Sequence, residues 1–463
     1  MVATELPRIV VAAPASGHGK TTVATGLMAA LAGRGLSVSG HKVGPDFIDP
    51  GYHALATGRP GRNLDPFLVG EHRVVPLLLH GARSADVAVI EGVMGLFDGR
   101  LGTAGEASTA HIAALTASPV LLVVDISHAS RTHAAVIAGL AAFDAKVRIA
   151  GVILNKAGSA RHADEVRDAL GPTGIPVLGV LPRDDGIETP SRHLGLVPAA
   201  ERAESAQTLQ RMAEVIAASV DIDAVVQIAR TAEAVHQMPW DPAQDIAPPT
   251  PARPVVAMAG GRAFTFRYAE TEELLRAAGC DVVEFDPLVD AALPAGTAGI
   301  YLGGGFPEVH AAELAENRCL MAELRSAIAA GVPTVAECAG LLYLCRSLEG
   351  TTMVGAVPAD AAMKPRLTLG YRTATSPADS VLTAAGEQVT GHEFHRTAIT
   401  SVDLDGHAAW QLPAGPEGFA TPTLHAAYLH THWAGYPALA QRFAHAVHGQ
   451  ASCDSGPTVC DVG

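Results

Sequence analysis

Two short runs carry residues whose types and spacing could do chemistry. Residues 8–22 read RIVVAAPASGHGKTT: an apolar strand, a glycine-bearing turn, Gly-Lys-Thr, then a helical pattern. A loop entering a helix N-terminus points several backbone N–H groups at one spot, which suits phosphate. Gly17 and Gly19 let the backbone approach closely. Lys20 would reach the β and γ phosphates, the Thr21 hydroxyl would ligate Mg²⁺, and Thr22 follows at the same helix start. ATP and Mg²⁺ are the ligands this pattern implies. The usual spacing has a glycine where this chain has Pro14. The second run, residues 333–344, reads PTVAECAGLLYL. It is a strand, a tight turn of small residues and a helix, with Cys338 at the corner. That is a nucleophile elbow in modified form. The helix start is expected to lower the thiol pKa and to help bind an oxyanion.

Each run needs partners. For the phosphate loop the candidates are acidic. Glu91 ends VAVIEG, at the strand end where open α/β sheets place ligands. Asp98 follows in GVMGLFDG, and Asp46 and Asp49 follow another strand in KVGPDFIDP. Asp46 and Glu91 are the expected metal ligands beside Thr21, and Asp46, Glu91 and Asp98 the expected catalytic acids. Asp125 ends a further strand with a weaker claim. Asn155, in GVILNKAG, is placed either to read a nucleobase or to cap a helix.

For Cys338 the partner is a base. The best candidates are His430 and His432 in AAYLHTHW, read as one short strand whose alternate residues share a face. The oxyanion donors are expected among backbone N–H groups of YLGGGFPE, at Gly304 and Gly305. A metal site of His392, His395, His430 and His432 is the alternative, but it lacks a Cys or Asp cluster of ligand spacing.

These groups need rigid elements behind them. Nearly all-apolar runs at 8–13, 37–43, 87–92, 119–126, 149–155 and 176–182 alternate with helical patterns, and the same alternation recurs at 254–259, 280–285, 298–304 and 333–338. Apolar rather than alternating strands are expected for parallel sheets covered on both faces. The fold expected is α/β, with two doubly wound domains. A proline-dense stretch at 239–254 separates them, because proline fixes φ and removes donors. The expected division is 1–238, a linker at 239–254, 255–450 and a tail at 451–463.

Composition bounds the rest. The 463 residues are 48% hydrophobic and 17% charged, enough to bury a sizeable core. A net charge of −15 argues against a nucleic-acid coat or an anionic membrane as partner. No apolar run approaches the ~18 residues of a membrane span. The start lacks the basic and apolar regions of a signal peptide. A cytoplasmic enzyme is the expectation.

In order, the chain carries APASGHGKTT, KVGPDFIDPGYH, EGVMGLFDG, GVILNKAG, TPSRHLGLVP, YLGGGFPE, AECAGLLYL, LGYR, GHEFH and YLHTHW. The first half resembles dethiobiotin synthetase and the second resembles class I glutamine amidotransferases. Together they resemble the a,c-diamide synthases of corrinoid biosynthesis, over nearly the whole chain. The resemblance implies that His430 helps Cys338 attack glutamine, releasing ammonia. It implies that ATP·Mg²⁺ phosphorylates a corrin carboxylate, that ammonia replaces the phosphate, and that a channel shields the ammonia. It implies small-molecule substrates (a corrin polycarboxylate, L-glutamine and ATP), with a homodimer as the assembly considered. A polyanionic ring needs local cations, and the candidates are Arg59, Arg62, Arg192, His193 and Arg372, with Tyr52 and His53 lining the pocket. The chain departs from the family at Ala339, where the relatives usually have glycine, and at AGGRAF, where a charged pair is absent. It also has His432 where class I amidotransferases often carry an acid, so the sequence names no third member beside Cys338 and His430. Related readings are a cobyric acid synthase type, or a diamide synthase acting on nickel-sirohydrochlorin.

Overall fold

The structure is a computed structural model that describes residues 3–183, 202–400 and 407–454. The chain divides into two compact units, Met1–Trp240 and Asp241–Gly463. A short helix, Pro242–Asp245, interrupts the proline-dense stretch, with Asp241 capping its first turn.

The first unit is a parallel sheet. Its strands are β1 (Arg8–Ala12), β2 (Val38–Val43), β3 (Arg62–Leu64), β4 (Val87–Glu91), β5 (Val120–Asp125), β6 (Ile149–Ala157) and β7 (Val177–Pro182), in the order β3-β2-β4-β1-β5-β6-β7. β1 and β4 are buried along their whole length, as their largely apolar sequences require, and so is β2 although it carries Ser39, His41 and Lys42. Strand order reverses around β1, so the loops leaving β1, β4 and β5 meet at the sheet's C-terminal edge, where doubly wound folds bind ligands. Helix α1 (Lys20–Gly33) packs Val23, Leu27 and Leu31 into the core on one face of this sheet. β3 is absent from the expected strands, because three residues give no readable period.

The second unit has two sheets. The first holds β8 (Val255–Ala259), β9 (Asp281–Phe285), β10 (Thr297–Leu302), β11 (Thr334–Glu337) and the strand Leu424–Ala427, all parallel, with Phe419–Ala420 antiparallel at the edge. This is the expected doubly wound layer. A second sheet extends it: a long antiparallel hairpin of Asp360–Thr375 and Gln388–Thr400, with His430–Thr431 against the latter strand. Its strands are half exposed and mixed in polarity, so they lack the apolar signature of the parallel ones.

Candidate functional site

The phosphate loop folds as its residue types demand. Gly17 and Gly19 have φ of 86° and 91°, in the left-handed region that glycine tolerates best. At Gly19 space also decides, since a Cβ would lie 2.3 Å from the Asn155 amide nitrogen. That nitrogen donates to the His18 carbonyl at 2.9 Å, and the Asn155 oxygen accepts from Lys156 N–H at 2.9 Å. Asn155 therefore anchors the loop, a task the sequence did not suggest. Lys20 is the first residue of α1 and is buried; its ammonium donates to the Met94 carbonyl at 2.5 Å. Burial, then the nearby Lys42, lowers its pKa to about 8. Asp98 accepts from Gly95 N–H at 3.0 Å and so shapes the turn that presents Met94.

Beside the loop lies a buried cluster. The Thr21 hydroxyl donates to Glu91 at 2.5 Å and stands 3.5 Å from an Asp49 oxygen. Lys42, inside β2, reaches Asp49 at 2.5 Å and Glu91 at 2.8 Å. His53 holds the other Glu91 oxygen at 2.7 Å. Burial pushes the Glu91 carboxyl upward, but Lys42 and His53 outweigh it and hold it well below the usual carboxylate range. Burial and the Glu91 charge raise Asp49 despite Lys42.

Three expectations need correction here. Asp46 turns one oxygen onto the N–H groups of Ile48 and Asp49, at 2.7 and 3.1 Å. Asp49, not Asp46, faces Thr21. His53 is fully buried against Glu91 and lines no substrate surface. Arg59 donates to the carbonyls of Gly81 and Arg83 at 3.0 and 2.7 Å, residues that precede β4. That is the N-terminal edge of the sheet, opposite the phosphate loop, so Arg59 is a staple and not a substrate cation. Arg62 is buried in β3. Tyr52 is half-buried on the helix Asp49–Thr57. Arg192 and His193 lie outside the described residues.

The hard oxygens of Thr21, Asp49 and Glu91 fit Mg²⁺. Among the described residues no cluster of three or more His, Cys, Asp or Glu side chains could hold a metal. A metal here would depend on nucleotide phosphates for further ligands.

In the second unit β11 ends at Glu337, and Cys338 turns with φ 49° and ψ −95°. A side-chain-bearing residue rarely adopts that conformation, and strained backbone marks functional corners. Cys338 N–H donates to the Ala427 carbonyl at 2.8 Å, and Gly340 N–H to Gly303 at 3.0 Å, so two neighbouring strands clamp the turn. The thiol is buried. Burial, with Glu308 and Glu337 adding, pushes its pKa up, although Ala339 N–H donates to the sulfur. The expected lowering fails because the helix Ala339–Leu344 is too short and too buried to offset desolvation.

The histidines differ from expectation in a telling way. Leu424–Ala427 and His430–Thr431 are separate strands in separate sheets, and His432 lies beyond both. His430 stacks on His392, with ring centroids 5.0 Å apart. His432 stacks instead on Tyr268 at 4.2 Å and faces Glu270 at 3.8 Å. The two do not share one pocket. A Cβ on Gly304 would lie 2.4 Å from the His430 ring, which brings His430 onto the loop that abuts the Cys338 turn. Gly304 itself is a poor oxyanion donor, because its N–H bonds the Phe266 carbonyl at 2.9 Å. Gly305 N–H has no backbone acceptor among the described residues, while Ala339 N–H is held by the Cys338 sulfur until that sulfur bonds to carbon.

The two units match two family models: the CobQ/CobB/MinD/ParA nucleotide binding domain over residues 9–197, and the CobB/CobQ-like glutamine amidotransferase domain over residues 255–438. Over its length the chain is 60% identical to the hydrogenobyrinate a,c-diamide synthase of Thermobifida fusca, covering 97% of this chain and 99% of that one. The Streptomyces coelicolor enzyme of the same name is 52% identical, over 95% and 97%. The cobyrinate a,c-diamide synthase of a Synechococcus strain is 43% identical, over 95% and 98%. The chain belongs to the a,c-diamide synthase family. As a diamide synthase it joins a nucleotide-binding unit to a glutamine amidotransferase unit, and is a glutamine-dependent ligase.

The sequence named Asp49 among the acids near the phosphate loop but assigned the metal role to Asp46, and it did not single out Lys42 or Glu337. A signal was present: Lys42 and Glu337 are charges inside fully buried strands, where charge is costly unless it is used.

Proposed function

We propose that this chain converts hydrogenobyrinic acid to its a,c-diamide, with ATP as phosphoryl donor and glutamine as nitrogen source. The full-length likeness to enzymes named for hydrogenobyrinate carries the choice of ring. In the amidotransferase unit, His430 takes the Cys338 proton and the thiolate attacks the glutamine amide. Gly305 and Ala339 N–H groups receive the oxyanion. His430 returns its proton to the leaving nitrogen, ammonia departs, and water releases glutamate from the thioester.

In the other unit the loop at Gly17 and Gly19 and the Lys20 ammonium hold the nucleotide phosphates. Thr21, Asp49 and Glu91 would hold Mg²⁺. When bound, Mg²⁺ draws charge from the phosphoryl oxygens. Amidation of a carboxylate needs phosphoryl transfer, because the free acid offers no adequate leaving group. Among the described residues no helix is long and apolar enough to cross a membrane, and with these water-soluble substrates we assign the cytoplasm.

Mass spectrometry tests the reading. The protein, ATP, Mg²⁺ and glutamine are incubated with hydrogenobyrinic acid and, separately, with cobyrinic acid. Two successive acid-to-amide shifts on the cobalt-free ring are expected. Preference for the cobalt-bearing ring would transfer the assignment to cobyrinate. No shift on either would overturn it.

A further inference from the structure

The amidotransferase unit lacks an acid two residues after His430, yet a carboxylate faces that histidine from another direction. Glu337, the residue before the nucleophile, ends β11 and is buried. Its Oε2 lies 3.9 Å from His430 Nδ1. Its rotamer is fixed from three sides. The Tyr301 hydroxyl donates to Oε2 at 3.0 Å, and Thr431 donates to Oε1 from its hydroxyl at 3.0 Å and its N–H at 3.3 Å. Trp433 in turn donates to the Thr431 hydroxyl at 3.2 Å. All these donors are neutral. A buried carboxylate with only neutral partners is costly. Among the described residues the basic side chain that pairs with it is His430, itself buried.

We infer that Glu337 is the positioning residue of the glutaminase dyad: it orients the His430 ring through Nδ1 and stabilises the imidazolium formed when Cys338 loses its proton. The inference rests on the glutaminase reading of Cys338 and His430. The Cys338 proton passes to His430 Nε2, and the Nδ1–H then faces Glu337. The positive ring is balanced by the carboxylate while the thiolate forms its bond to carbon. The proton leaves with ammonia, and no group on Glu337 is made or broken. Burial raises the Glu337 pKa to about 7, so the carboxylate becomes available in the range where the imidazolium is needed. His432 is not the substitute for the missing acid, since it pairs with Glu270 and Tyr268.

The test is Glu337→Gln in the full-length protein, with Glu337→Asp and Tyr301→Phe beside it. Glutamine hydrolysis should fall about 10²-fold in kcat for Glu337→Gln, with KM for glutamine changed less than about threefold. Ammonia-dependent synthesis reports folding. The decisive readout is the pH dependence of iodoacetamide alkylation at Cys338. Other titratable groups face this site: His392, Glu393 and His395 from the strand Gln388–Thr400, Tyr301 from β10, and Glu308 and Glu417 near the thiol. They are unchanged in the variant. Loss of the carboxylate relieves its direct repulsion of the thiolate but removes the counter-charge of the imidazolium it faces; the second effect should win and move the alkylation midpoint up by about one pH unit or more, and a downward shift would overturn the inference. Glu337→Asp should restore part of that shift, and Tyr301→Phe should leave the midpoint within about half a unit. A folded Glu337→Gln protein with parental kcat and midpoint would overturn the inference. If Glu337→Gln fails to fold, an Asp variant with parental midpoint and kcat overturns it equally. A parent protein without glutaminase activity would instead refute the underlying reading.

Discussion

Glu91 and Glu337 occupy the same place in two sheets. Each is the last residue of a buried parallel strand, beside a turn that carries the chemistry of its unit. Their surroundings differ in one respect. Glu91 meets an ammonium, a histidine and a hydroxyl, and is held ionised well below the usual range. Glu337 meets hydroxyls and an N–H, with the His430 ring only at 3.9 Å, and burial raises it to about 7. The topology buries a carboxylate at the strand end in both units, and the neighbours decide whether it is a fixed charge or a titrating one. A fixed charge suits a site for Mg²⁺ and phosphate. A titrating one suits a site where a proton travels between sulfur, imidazole and ammonia.

The largest expected effect separates the two units outright. Cys338→Ala should cut glutamine-dependent synthesis by about 10⁴-fold or more while ammonia-dependent synthesis persists. Equal loss of both would make Cys338 a structural thiol and remove the comparison. Glu91→Gln should lower synthesis with either nitrogen source by about 10²- to 10³-fold, since it touches the metal donors. It should also destabilise the first unit by about 3–5 kcal/mol, because Lys42 is left buried with a weakened partner. Activity with ammonia that survives intact would remove Glu91 from the phosphoryl site.

The two histidines sharpen the picture within one unit. His430→Asn should reduce glutamine hydrolysis by about 10²-fold or more, and His432→Asn by less than about tenfold. The reverse ranking, in steady-state glutaminase assays, would move the base to His432.

The carboxyls should also differ in the sign of their pH dependence. Glu91 is depressed, so its contribution to stability is present above the unfolded value near pH 4.5 and is lost as pH falls through the folded value. Glu337 is raised, so the folded unit loses stability as pH climbs from about 4.5 to about 7 and is level beyond. Relative to the parent, Glu337→Gln should therefore gain melting temperature between pH 5 and pH 8, while the Glu91→Gln deficit should be fully developed at both. Parallel pH trends in thermal melts would mean the two carboxyls are electrostatically alike. Lys20 offers a binding counterpart: with a free-state pKa of about 8, it must take up a proton to hold phosphate at higher pH. ATP affinity should then weaken up to about tenfold per pH unit above 8, with proton uptake visible by calorimetry in two buffers. The smallest effect is expected at Arg59, whose guanidinium bonds backbone on the far edge of the sheet. Arg59→Ala should cost about 1–2 kcal/mol of stability and leave KM for the corrin unchanged. A raised KM would return Arg59 to the substrate site.

The sequence by itself determined the parallel sheets, the phosphate loop, the elbow at Cys338 and the family. Strands covered on both faces must be continuously apolar, and a turn that binds phosphate or presents a thiol has few residue choices. These are local constraints, visible in a window of a dozen residues. Asp49 rather than Asp46, His53 against Glu91, Arg59 as a staple and the separation of His430 from His432 were decided only by tertiary structure. In each case the deciding partner is distant in the chain: Asp49 with Thr21, His53 with Glu91, His432 with Glu270. Whether a buried polar side chain serves chemistry or packing depends on which groups meet it across strands, and linear spacing does not encode that. The antiparallel hairpin went unread for a related reason: half-exposed strands carry a weaker period than buried ones. Glu337 shows both sides. Its oddity is legible, a lone acid in a buried strand, while its service to His430 depends on a neighbour that the fold brings in from near the other end of the unit.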